Sequence, residues 1–192
     1  MAAPALLEAP NISVVPATRE YEPLYEIVNG KRVDLEMSAY AVRVANRIYR
    51  MVDKHADTHS LGEVASENLF QLALPGEYCR RPDVAFVSFE RWANGRPMPL
   101  RGEEWEVVPD LTVEVVSPTD RAGALMSKVI EYFRAGVRQV WIVYPDSRFV
   151  MVYESLTRMR GLTDADELDG GDVLPGFRTP VAGLFPATIP EE

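Results

Sequence analysis

Two apolar runs separated by a helical stripe constrain this chain more than anything else in it. Leu111 to Ser117 reads LTVEVVS, and Val137 to Tyr144 reads VRQVWIVY. The second run is almost continuously apolar, as in a strand covered on both faces. After Pro118, the residues Leu125, Val129 and Tyr132/Phe133 recur at helical spacing, and Gly136 suits the C-terminal cap. Strand, helix and strand in this order predict a right-handed crossover joining parallel strands over 111 to 144. Glu114 falls in the middle of the first run, where sheet core is expected. A carboxylate there must be ion-paired, hydrogen-bonded or bound to a metal, because an unpaired buried charge is strongly destabilising.

The other elements arrange themselves around that unit. Tyr25 to Val28 and Arg32 to Glu36 flank Asn29-Gly30, a pair that favours a two-residue hairpin turn. Ser38 is placed to cap a helix whose apolar positions (Ala41, Val44/Ala45, Ile48, Met51/Val52) run to about Lys54. Asn68 to Leu74 and Asp83 to Ser88 read as strands, and Phe149 to Glu154 follows the Pro145-Asp146-Ser147 turn. Residues 89–109 form a long insertion containing Arg, Pro and Gly, of the kind that is often functional. The fold class is therefore α/β, a central mixed sheet flanked by helices. Residues 1–20 are expected to be a flexible arm and residues 21–188 a single domain.

Charge and cysteine content narrow the surroundings. The chain has 192 residues and a formal charge of −9, which counts against tight nonspecific nucleic-acid binding. The charge is uneven. Arg43, Arg47, Arg50 and Lys54 face only Asp53 within 43–54, and Arg80, Arg81, Arg91, Arg96 and Arg101 face Asp83 and Glu90 within 80–101. Cys79 is the only cysteine, so no disulfide forms within the chain and a reducing compartment is expected. The N-terminal MAAPALLEAP has no basic region, and no stretch approaches a membrane span. A cytoplasmic protein is expected.

Three residues can carry chemistry together. Asp83 opens one apolar strand, Glu114 lies within another, and Lys128 flanks the apolar stripe of the following helix. Two carboxylates from neighbouring strands commonly hold Mg²⁺, leaving positions for water and phosphate. A nearby lysine can orient the water and stabilise growing negative charge. The pair His55-Ala-Asp57-Thr-His59 has metal-like spacing but falls where a helix should fray, and reads as a solvated helix end. Arg80 and Arg81 beside Cys79 could favour its thiolate, yet no histidine motif accompanies it. No phosphate-binding loop, dinucleotide-binding glycine motif or hydrolase serine elbow is present.

With these residues in view, the chain resembles the PD-(D/E)XK nuclease superfamily and, more narrowly, the Uma-two family of restriction-endonuclease-like proteins. The matching stretches are YEIVNGKRVDLEMS, RPDVAFV, PDLTVEVVSPTD, KVIEYFRAGVRQVWIV and the terminal GDVLPGF with TPVAGLF, spanning about residues 21 to 186. The resemblance implies a restriction-endonuclease-like fold, DNA as substrate and Mg²⁺ or Mn²⁺ as cofactor. It implies Asp83 and Glu114 as metal ligands and Lys128 as the catalytic lysine, and points to Glu36 as a further ligand. The superfamily's usual lysine position, two residues after the glutamate, is Val116 here. Strand alternation puts residues 114 and 116 on one face, so a lysine from the next helix can fill that gap. Arg80, Arg81 and Arg121 are the arginines expected to contact nucleic acid, with the 89–109 insertion forming a basic rim. A two-strand cut needs two active sites, which makes a homodimer the expected assembly. The alternative is a nuclease fold kept as a non-catalytic binding or assembly module.

Overall fold

The computed structural model describes residues 23–36, 38–97 and 104–186. The expected N-terminal arm lies outside the described residues. In chain order the elements are β1 (Tyr25–Val28), β2 (Lys31–Asp34), α1 (Ala39–His59), β3 (Gly62–Ser66), β4 (Phe70–Gln71), β5 (Cys79–Arg80), β6 (Val84–Ser88) and β7 (Leu111–Val115). They continue with α2 (Ala122–Ala135), β8 (Gln139–Tyr144), β9 (Phe149–Ser155), β10 (Arg158–Leu162), β11 (Glu167–Asp169) and β12 (Arg178–Pro180), and a 3₁₀ turn (Val181–Leu184) follows.

Six strands form the central sheet in the order β10-β9-β8-β7-β6-β3. The β7–β8 pair is parallel and joined through α2, as the 111–144 pattern requires. The neighbouring pairs β3–β6, β6–β7, β8–β9 and β9–β10 are antiparallel. Helix α1 covers one face, where Val44, Ile48 and Val52 pack with Phe86, Val113, Trp141 and Val143. Helix α2 covers the other, where Val129 and Tyr132 pack with Val140 and Ile142. Alternation along β8 thus sends Trp141 to α1 and Ile142 to α2, which explains its unbroken apolar sequence.

Local chemistry sets the edges of these elements. Asn29 and Gly30 both have positive φ (51° and 71°), the geometry of the tight hairpin turn. The Ser38 side chain accepts from the Ala41 backbone N–H at 3.1 Å and starts α1. That helix runs a turn beyond Lys54 because its end is held from outside. The His55 ring stacks on His59 at 4.3 Å and packs edge-on against Phe177 at 5.5 Å. At Gly62 a Cβ would lie 2.1 Å from the Val87 carbonyl oxygen, so only glycine lets β3 lie this close to β6.

The sequence misplaces some short strands. Asn68 to Leu74 contributes only β4, and β3 and β5 were not anticipated. β1, β2, β4 and β5 build a separate four-stranded sheet, order β2-β1-β5-β4. The 89–109 insertion is partly core: Trp92 and Trp105 are buried, ring to ring at 5.3 Å, with Phe70 stacked on Trp105 at 5.2 Å. Among the described residues no helix is long and apolar enough to cross a membrane.

Candidate active site

Asp83, Glu114 and Lys128 meet on the α2 face of the sheet. In the antiparallel β6–β7 pair, Val84 stands opposite Val113. Carrying that register one residue further sets Asp83 opposite Glu114, on the same side. Asp83 Oδ2 accepts the Val115 backbone N–H at 2.5 Å, which fixes its carboxyl against β7. From above, Lys128 Nζ lies 3.0 Å from Glu114 Oε2. One helical turn later, the Tyr132 hydroxyl donates to Glu114 Oε1 at 2.6 Å. The i, i+4 spacing on α2 therefore brings both groups onto one carboxylate. Val116, in the place of the usual lysine, helps line a narrow pocket of about 60 Å³ with Glu114, Arg121 and Lys128.

A third buried acid completes the cluster. Glu26, 1% exposed, places Oε1 3.0 Å from Lys128 Nζ and accepts from Arg80 at 2.7 Å through Oε2. It also accepts the Arg81 backbone N–H at 3.0 Å. The β1–β5 pairing, with Ile27 opposite Cys79, brings Glu26 beside Arg80. Arg80 in turn reaches Glu131 of α2 at 2.6 Å. Glu26 carries no local signal of burial. In a four-residue hairpin strand it reads as an outward-facing polar position, and nothing local shows that α2 and β5 cover it.

The cluster is electrostatically uneven. Burial, and then the repulsion of Glu114, push the Asp83 carboxyl up to about 8. Burial also raises Glu114, with Glu26 adding to the effect and Lys128 opposing it. Burial opposes the charge on Lys128, but Glu114 and Glu26 outweigh it and hold the ammonium above the ordinary lysine range. Burial likewise works against Glu26, yet Lys128 and Arg80 prevail and lower it. Four carboxylates (Asp83, Glu114, Glu26, Glu131) face two cations (Lys128, Arg80), a formal deficit of two positive charges when all are ionised.

The remaining candidates are placed unequally. Glu36 is exposed and lines a cleft of about 650 Å³ that also reaches Glu26, Arg80, Arg121 and Lys128. Arg121 is exposed at the start of α2 and lines both the cleft and the narrow pocket. Arg80 is buried between two carboxylates. The Arg81 guanidinium donates to the Tyr25 and Glu67 carbonyls.

The basic rim expected from the arginine-rich segments does not form among the described residues. Arg91 binds the Val108 and Gly136 carbonyls and Asp110, and the Arg96 guanidinium lies 3.7 Å from the centre of the Trp92 ring. Arg101 lies outside the described residues. The charged residues lining the cleft are Glu26, Asp34, Glu36, Asp120 and Glu131 against Arg80, Arg121 and Lys128. Acids prevail because the arginines nearby serve as internal braces for carbonyls and carboxylates. Cys79 is buried, and burial followed by Glu104 and Glu77 pushes its thiol up, so Arg80 and Arg81 do not make it a thiolate.

Comparison with known proteins fits this geometry. The family model for Uma-two (Uma2), described as "Putative restriction endonuclease", matches residues 14–182. The chain belongs to the Uma-two family. A crystal structure of a "putative nuclease" from Anabaena variabilis superposes with a TM-score of 0.72. Identity is 15%, over 85% of this chain and 90% of that one. That likeness shows a shared fold. No curated protein matches the sequence.

Proposed function

We propose that this Uma-two protein is a divalent-metal-dependent endonuclease that hydrolyses DNA phosphodiester bonds, with Asp83, Glu114 and Lys128 as its catalytic residues. The observation that carries this reading is the meeting of three residues, one just before β6, one in β7 and one in α2, with Lys128 Nζ 3.0 Å from Glu114. The donor set fits Mg²⁺ or Mn²⁺. Burial, with the repulsion of Glu114 added, holds a proton on Asp83 near neutrality, and with every carboxylate ionised the cluster would lack two positive charges. Among the described residues no group of three or more His, Cys, Asp or Glu is arranged to hold a metal. Asp83 and Glu114 would therefore supply the protein's share, with water and phosphate filling the rest, as is common for Mg²⁺. Glu36, on the cleft wall, is in place to bind a water or a second ion. A bound cation supplies Lewis-acid polarisation of the phosphate and acidifies water.

The protein's own groups have defined tasks. Lys128 stays protonated and has three N–H donors. Glu114 and Glu26 take two, leaving the third for a water or a phosphate oxygen. Tyr132 and the Val115 N–H hold the two carboxylates in fixed orientations before substrate arrives, and such preorganisation is a large part of electrostatic catalysis. Glu26 gives Lys128 a second carboxylate partner and so helps to position it.

Metal-dependent melting tests the proposal. Mn²⁺ at roughly 100 times its dissociation constant should add about 2.7 kcal/mol, a shift of several degrees for a domain of this size. Glu114→Ala should lose most of that shift and all cleavage. Lys128→Ala should keep the shift and lose cleavage. The acidic cleft favours one rival, a non-catalytic binding module, which predicts no shift and no cleavage for the wild type.

A further inference from the structure

Beside the catalytic centre lies an apolar pocket of about 270 Å³. Its walls are Val116, Leu125, Val129, Ile142, Tyr144 and Tyr153. The register of the sheet explains it. Glu114 stands beside Ile142 in the parallel β7–β8 pair, so two residues on, Val116 just past the end of β7 and Tyr144 at the end of β8 fall on that same α2 face. The first turn of α2, Ala122 to Ala124, carries only small side chains and leaves the space above them open. Met126 lines the pocket and is exposed. Val116, Asp120, Arg121 and Leu125 line both this pocket and the narrow one containing Glu114 and Lys128. The two cavities are therefore neighbours that share a wall.

Resting on the proposed nuclease activity, we infer that this pocket receives one unstacked nucleobase of the strand being cut, so that the substrate is single-stranded or locally opened DNA. Three observations lead there. The pocket is apolar and carries two phenol rings, and aromatic faces stack on any base. Its hydroxyl tips can hydrogen-bond a base edge. It adjoins the catalytic lysine, and the shared wall carries exposed Arg121 to meet the connecting phosphate, beside Asp120, whose carboxylate accepts the Ser117 backbone N–H at 2.7 Å. The neighbouring cleft carries five acids (Glu26, Asp34, Glu36, Asp120 and Glu131) against three bases (Arg80, Arg121 and Lys128). A duplex brings about one negative charge per 1.7 Å of axis and keeps its bases stacked inside. It would be repelled by the cleft and would leave the apolar pocket empty. A single strand carries half that charge density and can place a base in the pocket while its phosphate reaches Lys128.

Fluorescence anisotropy of the full chain in Ca²⁺ tests this with three labelled probes: a short DNA strand, the same strand with one abasic position scanned along it, and the matching duplex. The intact strand should bind at least tenfold tighter than the duplex. One abasic position should weaken binding roughly five- to hundredfold, the range for one base stacked on an aromatic ring. Ala122→Trp, which fills the pocket from the helix start, should reduce the intact strand to the abasic level. Met126→Glu, at an exposed position that tolerates substitution, should weaken it as well, by placing a carboxylate in the pocket lining. Equal affinity for strand and duplex, or no abasic effect at any position, overturns the inference. Plasmid nicking and metal-dependent melting are run in parallel. Cleavage that ignores the pocket variants defeats the base subsite alone, whereas no binding and no cleavage of any probe defeats the nuclease reading with it.

Discussion

Replacing Glu26 tests whether the centre is held as described. The carboxylate is 1% exposed and engages Arg80 at 2.7 Å, Lys128 at 3.0 Å and the Arg81 backbone N–H at 3.0 Å. Glu26→Ala leaves Arg80 with Glu131 alone and Lys128 with Glu114 alone. It also removes the partner of a buried backbone donor. Removing one member of a buried ion pair costs about 3–5 kcal/mol. A domain of this size loses roughly 2–4 °C of melting temperature per kcal/mol, so the expected fall is roughly 6–20 °C at pH 7. Glu26→Gln keeps the shape and one acceptor and should fall between the two. The charge also sets a pH dependence. The folded-state pKa of Glu26 lies below its unfolded value, so its stabilisation is complete above the unfolded value of 4.5 and is lost as pH falls through the lower folded one. Differential scanning fluorimetry from pH 7 down to about pH 3 reads both effects. A Glu26→Ala protein that melts within 2 °C of wild type at pH 7, set against that roughly 6–20 °C expectation, would refute the reasoning.

Other consequences follow from the same contacts. Asp83 shows the opposite linkage. In metal-free protein its folded-state pKa is about 8 against 3.8 unfolded, so its contribution falls as pH rises between those values. Asp83→Asn should flatten that slope in a pH series of urea melts, and an unchanged slope counts against a buried, repelled carboxyl. Tyr132→Phe deletes the donor to Glu114 Oε1 and should cost about 1.5–3 kcal/mol, the worth of a hydrogen bond to a charged group. A neutral result by urea denaturation would mean that the bond is not formed. Gly62→Ala would bring a methyl group to 2.1 Å from the Val87 carbonyl. It should destabilise by about 1–3 kcal/mol as overpacking does, and an unchanged melting temperature would show that β3 sits further from β6.

The site was legible where its residues interrupt an expected pattern. Glu114 inside LTVEVVS had to be explained, and Lys128 lay beside the stripe of a helix that had to cover that strand. Asp83 marked the start of a strand, and antiparallel pairing brought it opposite Glu114. Glu26 and Arg80 lie in short strands whose partners are far away in sequence, so no local pattern marks their burial. The arginine-rich segments misled for the same reason. Local charge gives no information about whether a guanidinium meets solvent or a buried carbonyl, and Arg80, Arg81 and Arg91 meet carbonyls or carboxylates within the fold. Short strands such as β3 and β5 were missed because two to five residues carry too little alternation to stand out.

Nicking of supercoiled plasmid by wild type and Lys128→Met is the most direct measurement of the central claim. The lysine is chosen because it touches Glu114 and Glu26 yet binds no metal, so its loss separates chemistry from ion binding, while the melting temperature of the variant reads the cost of leaving those carboxylates without it. The account predicts nicking by wild type that requires Mg²⁺ or Mn²⁺ and stops with EDTA. It predicts a loss of at least about a hundredfold in Lys128→Met, the usual scale for removing one transition-state donor, with the metal-dependent melting shift retained. Nicking by Lys128→Met at the wild-type rate, or nicking by wild type that persists in EDTA, would contradict it.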